Sequence, residues 1–358
     1  MVWEETDNNI SFIYKIGNEL GAEVAINNAV NVIQATISNN RVNTNAMEPR
    51  TSIGIYEKGD RKYTLYSGNQ GPNRVREELA KEILNVPEAR LQVISPDVGG
   101  GFGMKGGAYG EDILVLWAAK LIDRPVKWAG ERLESFMSDS HGRDVIADCK
   151  MAFDSNARIT ALRVSADYNV GAYLSHSAGI SPMFFSILLS GVYAIPVIDI
   201  TTSCLFTNTG ATAPYRGAGR PEAAFLLERL MDIAARELRL DPIEIRRKNL
   251  VKADQMPYQT ALMPVIDCGD FEAVMDKGIE KSDWAGFEIR KSEAIKRGKL
   301  YGRGVAVYME SAAPFNERME IRFDSGGEVT VVAGTHSHGQ GHATVYSQMI
   351  VDFLGVPF

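Results

Sequence analysis

Three glycine clusters constrain this chain more than anything else in it. They read VGGGFGMKGGAYG at 98–110, APYRGAGRPE at 213–222 and GTHSHGQGHAT at 334–344. Each follows a β-branched run and precedes a stretch of helical periodicity, so each is expected to be a strand-to-helix loop. Glycine removes the side chain at such a junction. Backbone N–H groups can then converge on an anion, and a bulky group can touch the main chain. Plain tight turns are the alternative for any one cluster taken singly. Three together suggest a large ligand with several polar or anionic groups.

The rest of the chain reads as α+β. Strands are expected at 32–41, 53–56, 63–66, 91–94, 126–128, 147–153, 159–168, 198–206, 304–309, 319–323 and 329–334. Helices are expected at 73–84, 111–121, 221–238, from Pro242 behind the N-cap Asp241, at 271–280 and in the basic run 288–299. The order alternates irregularly and shows no repeat, which argues against a doubly wound sheet. The polar stretch after Val251 is the best boundary. It divides the chain into a first domain at 1–250, a linker at 251–268 and the start of a second domain at 269–358.

Composition excludes some classes. With 38 Lys and Arg against 45 Asp and Glu the formal charge is −7, which gives no support to a nucleic-acid surface. Three cysteines cannot build a disulfide framework, and without a C-x-x-C they should hold no iron–sulfur cluster. Cys149, Cys204 and Cys268 are expected to be buried thiols. The most apolar run, 180–196, is too short and too interrupted to span a membrane. No signal-peptide pattern opens the chain, so a cytoplasmic location is expected. The C-terminal run ATVYSQMIVDFLGVPF reads as a helix leading into further structure.

Other readings of the loops fail on spacing. The first is neither a Walker loop nor G-x-G-x-x-G. The three histidines of the third lack zinc spacings and a nearby cysteine, so no direct metal ligand is assigned. In the second, Arg216 suits an anion or polar substrate. Arg220 and Glu222 there suit a helix-capping ion pair instead.

Taken together, GGGFGMK at 99–105, PYRGAGRPEA at 214–223 and GQGHAT at 339–344 resemble the loops of the molybdenum-binding large subunit of the xanthine oxidase, aldehyde oxidase and carbon monoxide dehydrogenase family. NAMEPR at 45–50 and YSGNQGPNRVREELA at 66–80 are similar to two further segments of that family, in the same order. The resemblance implies a molybdopterin with Mo, in its cytosine dinucleotide form. It implies that Gln70 hydrogen-bonds a metal oxo ligand and that the Gly103 N–H, with Gly101 and Phe102, faces the metal. Arg216 would line the substrate cavity, and Gly339, Gln340 and Gly341 would cradle the pterin or its phosphate.

The departures matter too. The family's purine oxidisers carry a glutamate where this chain has Gly106, an arginine near Leu174 and an aromatic where Ala218 stands. Its carbon monoxide oxidisers carry a copper-ligating cysteine where Gly217 stands. The YRGAGR loop resembles a second, carbon monoxide dehydrogenase-like group. The implied reaction is oxidative hydroxylation of an aldehyde or aromatic N-heterocycle with oxygen from water. Electrons would pass to a small 2Fe–2S subunit and a medium FAD subunit, in a dimer of heterotrimers. The family's general base is a glutamate in Gly-x-Gly-Glu, a motif missing from these 358 residues. Glu111, Glu222 and Glu317 are the acids near loops. The chain by itself is therefore expected to be inert, a second chain supplying the rest. The competing classes are a cofactor-binding or assembly piece without catalysis, and a nucleotide-binding transferase built on the same glycine loops.

Overall fold

The structure, a computed structural model, describes residues 1–175, 177–310 and 316–358. Its strands in chain order are β1 Ile10–Gly17, β2 Asn31–Asn39, β3 Thr51–Glu57, β4 Lys62–Ser67, β5 Leu91–Ile94, β6 Val126–Ala129, β7 Val145–Phe153, β8 Ile159–Gly171, β9 Ile198–Phe206, β10 Tyr258–Gln259, β11 Val265–Ile266, β12 Met319–Phe323 and β13 Val329–Ala333. Its helices are α1 Glu19–Asn27, α2 Pro72–Glu77, α3 Gly110–Ile122, α4 Arg132–Ser138, α5 Ile180–Ile187, α6 Arg220–Glu237, α7 Pro242–Asn249, α8 Phe271–Lys281, α9 Phe287–Lys296 and α10 His342–Leu354. The chain is α+β, as its irregular alternation implies.

Two sheets carry the first two glycine loops, and the β12–β13 pair carries the third. The larger runs β1-β9-β8-β7-β2, and the smaller runs β5-β4-β3-β6. In the larger, β7 and β8 form a hairpin whose turn is closed by Asp154, whose carboxylate accepts the N–H groups of Asn156 and Arg158. Inward residues of β7–β9 pack under α6, whose stripe Leu226, Leu230 and Ala234 is buried. In the smaller, Leu65, Leu79 and Leu116 are fully buried between β4, the turns after α2, and α3. Each such side chain is worth about 1.5–3 kcal/mol of transfer free energy.

A polar knot fastens α6 to α7. Arg246 is completely buried and pairs with Glu228 at 2.7 Å and Asp232 at 2.9 Å, while the Tyr193 hydroxyl donates to Glu228. The region 180–196 forms α5 and a buried tail, and no helix among the described residues is long and apolar enough to cross a membrane.

Some elements lie outside the expected set, and three expectations need correction. Residues 10–17 form an edge strand, β1, paired antiparallel with β9, and 19–27 form α1 capped by Asn18. Helix 73–84 is regular only through Glu77 and continues as wider π-type turns over Glu78–Leu84. Residues 304–309 are not a strand. Val305, Val307 and Met309 do alternate onto the main core, but among the described residues no neighbouring strand pairs with them. Cys268 is exposed, whereas Cys149 and Cys204 are buried and their thiols pushed up to about 12 by loss of solvent.

Candidate functional site

The three glycine loops meet. A cavity of about 720 Å³ is lined by Gln70, by Phe102 and Gly103 of the first loop, by Arg216 of the second, and by Gly339 and Gln340 of the third. Gly101 sits just behind this wall, where an added Cβ would strike the Gln70 side chain. Gly341 does not line the cavity and instead caps the start of α10.

The first loop is stapled across its base. Glu48, from the NAMEPR segment, accepts the Gly99 N–H at 2.7 Å and pairs with Lys105 at 2.7 Å. The Lys105 side chain is 1% exposed, so one carboxylate fixes both ends of the loop and compensates a buried ammonium. Gln70 joins this loop by its backbone N–H, which donates to the Lys105 carbonyl, and by its Oε1, which accepts the Gly103 N–H at 2.8 Å. The Gly103 N–H is therefore committed to Gln70 and is not free to face a ligand, unlike the sequence-based expectation.

The first and second loops touch through the main chain. Gly103 has φ +99°, and a Cβ on it would lie 2.1 Å from the Pro214 carbonyl oxygen. The Arg216 N–H donates to the Phe102 carbonyl at 2.9 Å. Behind the second loop stands Arg143, whose guanidinium donates to the Tyr215 and Arg216 carbonyls at 3.1 and 2.8 Å and pairs with Glu222. Glu222 also accepts the Tyr168 hydroxyl at 3.0 Å. Burial, with the Glu222 charge beside it, pushes that hydroxyl's pKa well up, so Tyr168 stays a donor. The expected Arg220–Glu222 pair is not formed. Arg220 points the other way, to Glu310 at 2.5 Å. Arg216 is exposed at the cavity mouth, and its guanidinium has no hydrogen-bond partner among the described residues.

The third loop leans on the other two more lightly. Glu317 accepts the N–H groups of Gly334 and Thr335, and His338 reaches Gln70 across the cavity. Among the described residues no cluster of three His, Cys, Asp or Glu is placed to hold a metal ion. Of the three candidate acids none lines the cavity. Glu111 pairs with the buried Arg50, Glu222 with Arg143, and Glu317, from the segment before β12, with the start of the third loop. Leu174 belongs elsewhere, lining a second cavity of about 590 Å³ with Tyr109 and Glu111, while Gly217 and Ala218 line the first.

Sequence reasoning found the loops but missed what holds them. Lys105 was legible as part of a motif. Its pairing with Glu48, and the part played by Arg143, rest on contacts 57 and 73 residues apart in the chain.

The cavity's donor set decides what it can hold. Two carboxamides, one imidazole, one guanidinium and glycine main chain share its lining with Met47, Val98, Phe102, Pro214 and Tyr215, and among the described residues no carboxylate lines it. At Gly339 and Gly341, with φ +126° and +74°, nothing lies within 4 Å of an added Cβ, so the main chain is open to a large neighbour. The N-terminus of α10 has no side-chain cap, which leaves its N–H groups available. A bulky ligand bearing phosphate and polar ring atoms fits this lining.

Comparisons with known proteins agree. Residues 2–250 match a family model described as a molybdopterin cofactor-binding domain, and residues 277–358 match a second model of the same description. The chain is 33% identical to the nicotine 6-hydroxylase large subunit of Paenarthrobacter nicotinovorans, over 93% of this chain and 42% of that protein. It is 30% identical to the carbon monoxide dehydrogenase large chain of Hydrogenophaga pseudoflava, over 98% and 46%. Among solved structures, quinoline 2-oxidoreductase from Pseudomonas putida 86 superposes with a TM-score of 0.89 at 30% identity, again over 98% and 46%. The chain thus spans less than half the length of the relatives it matches.

Proposed function

The chain belongs to the molybdopterin cofactor-binding family, and from that premise we propose that it forms the cofactor-binding part of a molybdenum hydroxylase large subunit. The convergence of Gln70, Arg216, Gly339 and Gln340 on one carboxylate-free cavity carries this reading. The redox chemistry belongs to the cofactor, which when bound takes two electrons from the substrate and supplies oxygen derived from water.

This chain's residues hold and orient. Gln70, fixed by the Gly103 N–H, presents its NH2 group to the cavity. Gly101 and Phe102 shape the wall beside it. Arg216 places a positive charge at the mouth, suited to a phosphate or to a polar substrate. Gly339, Gln340 and Gly341 bring main chain and a helix N-terminus against the far side. Arg216 at the cavity mouth and the uncapped N-terminus of α10 next to Gln340 support the cytosine dinucleotide form, which adds a pyrophosphate to be held.

The substrate class proposed is an aldehyde or an aromatic N-heterocycle. Gly217 offers the cavity no thiolate for copper, and Ala218 no aromatic clamp. Carbon monoxide dehydrogenase-like chemistry would need that missing thiolate. The division into 1–250, a linker at 251–268 and 269–358 follows the polar stretch after Val251, with 2–250 and 277–358 as supporting matches.

The partners proposed are a small 2Fe–2S subunit and a medium FAD subunit in a cytoplasmic dimer of heterotrimers. Polypeptide completing the large subunit would cover the exposed Met319, Ile321 and Phe323. That polypeptide would also bring the general base, because Glu111, Glu222 and Glu317 are all committed elsewhere.

The test is metal and pterin analysis of the chain isolated from cells that make the cofactor. One molybdenum per chain, with a fluorescent pterin and CMP on acid release, is expected. Stabilisation by ATP in a thermal melt without any molybdenum would favour the nucleotide-binding transferase instead. The chain without partners should turn over no aldehyde with a dye acceptor, and turnover would refute the assignment of the base to other polypeptide.

A further inference from the structure

The third loop carries more side-chain chemistry than a backbone cradle needs, and two backbone N–H groups reveal its purpose. The Gly103 N–H donates to Gln70 Oε1 at 2.8 Å. An N–H can only donate, so the other end of the Gln70 carboxamide is its NH2 group. Likewise the His338 N–H donates to Gln340 Oε1 at 2.7 Å, which fixes the Gln340 NH2 on the opposite side. Both NH2 groups then face one atom. Gln340 Nε2 lies 3.0 Å and Gln70 Nε2 3.4 Å from Nε2 of His338.

A ring nitrogen between two donors must accept. The His338 proton therefore sits on Nδ1 and the imidazole is neutral. We propose that His338 is a positioning residue whose Nε2 lone pair orients the carboxamides of Gln70 and Gln340, tying the first and third loops into one wall of the cavity. Its surroundings agree, since partial burial and then His336 and His342 push its pKa below the usual imidazole value. The single lone pair cannot point at both donors. The shorter contact, from Gln340, takes most of it, and Gln70 keeps an N–H for whatever fills the cavity. The part of this inference that concerns the ligand rests on the cofactor reading; the tautomer does not.

Long-range proton–nitrogen correlation on the intact chain with 15N-histidine tests the tautomer, H338Q identifying the signal. The Nδ1–H form is expected at pH 7.5, and an Nε2–H form or an imidazolium at that pH would overturn the proposal. Two variants test the positioning. H338Q keeps an acceptor at the reach of Nε2, whereas H338L keeps bulk and loses the acceptor. Molybdenum retained after dialysis should stay within twofold of wild type in H338Q and fall five- to tenfold in H338L. Equal retention in H338L, or an equal loss in H338Q, would overturn it. If H338L does not fold, the tautomer and H338Q still decide. If the wild-type chain holds no molybdenum, the cofactor reading fails, and the tautomer signal continues to decide this one.

Discussion

The first two glycine loops and the third meet one demand, an open main chain facing a ligand, with very different support. Behind the first two stand a buried lysine paired with the half-buried Glu48, the Arg143–Glu222–Tyr168 cluster and direct backbone contact between the loops. The third is bounded by β13 and α10, and no residue of 316–358 is buried. The strands show the same contrast. β7 alternates buried and exposed residues through Lys150 and then stays buried, while all five residues of β12 are exposed. Two loops therefore belong to the cooperative core, and the third is local structure resting against it. A ligand spanning all three would gain rigidity from the first pair and supply it to the third.

The sharpest way to break this comparison is at Glu222. Its carboxylate side chain is fully buried and holds both Arg143 and Tyr168. In E222A a guanidinium and a hydroxyl lose their partner, and removal of one member of a buried pair costs about 3–5 kcal/mol. Urea unfolding should show a loss of that size. A loss below about 1 kcal/mol would mean that the second loop is no better anchored than the third.

A matched pair of glycines sharpens the contrast. Gly103 and Gly339 both have positive φ, so alanine at either costs about 1–3 kcal/mol in backbone strain. They differ in surroundings. A Cβ at Gly103 collides with the Pro214 carbonyl, whereas at Gly339 it meets open space. G103A should add the cost of forcing two loops apart, about 1–3 kcal/mol for overpacking, and should lower the midpoint of global unfolding. G339A should leave that midpoint unmoved, because its strain relaxes locally. Equal shifts in the two variants would remove the distinction between core loops and a local one.

What could be read in the sequence follows the same division. The glycine clusters, α3, α6 and strands β7–β9 announce themselves through local pattern, because burial imposes periods of 2 and 3.6 on consecutive residues. Strand β1 is legible too, with Phe12, Tyr14 and Ile16 on alternate positions, although nothing local names β9 as its partner. Residues 304–309 show the limit of pattern. Their alternation onto the core is real, yet periodicity says nothing about whether a neighbouring strand is there to pair with, and among the described residues none is. The cavity's members were named from their motifs. Glu48 and Arg143 were not singled out, since their partners lie far away in the chain and no local rule connects them, and His338 was weighed only as a metal ligand because its contact with Gln70 spans 268 residues.

The smallest expected effect lies in the third loop itself and follows from protonation. His338 accepts from Gln340 and Gln70, with His336 and His342 nearby from its own loop and α10, and Arg216 lining the same cavity from the second loop. No negative side chain lines that cavity to welcome a proton. When the loop opens, His338 returns to an ordinary pKa near ~6.5, while in the closed loop its pKa is lower. The open form thus binds more protons as pH falls through the ordinary value. Closure is fully favoured above that value and weakens below it until the closed-loop pKa is passed. Protection factors for the amides of 338–344, corrected for intrinsic exchange, should fall between pH 7.5 and 5.5 in wild type and stay level in H338Q. The amides of β7–β9 should show no such change. A parallel fall in both regions would mean that the third loop opens with the core, and the contrast between the loops would have to be given up.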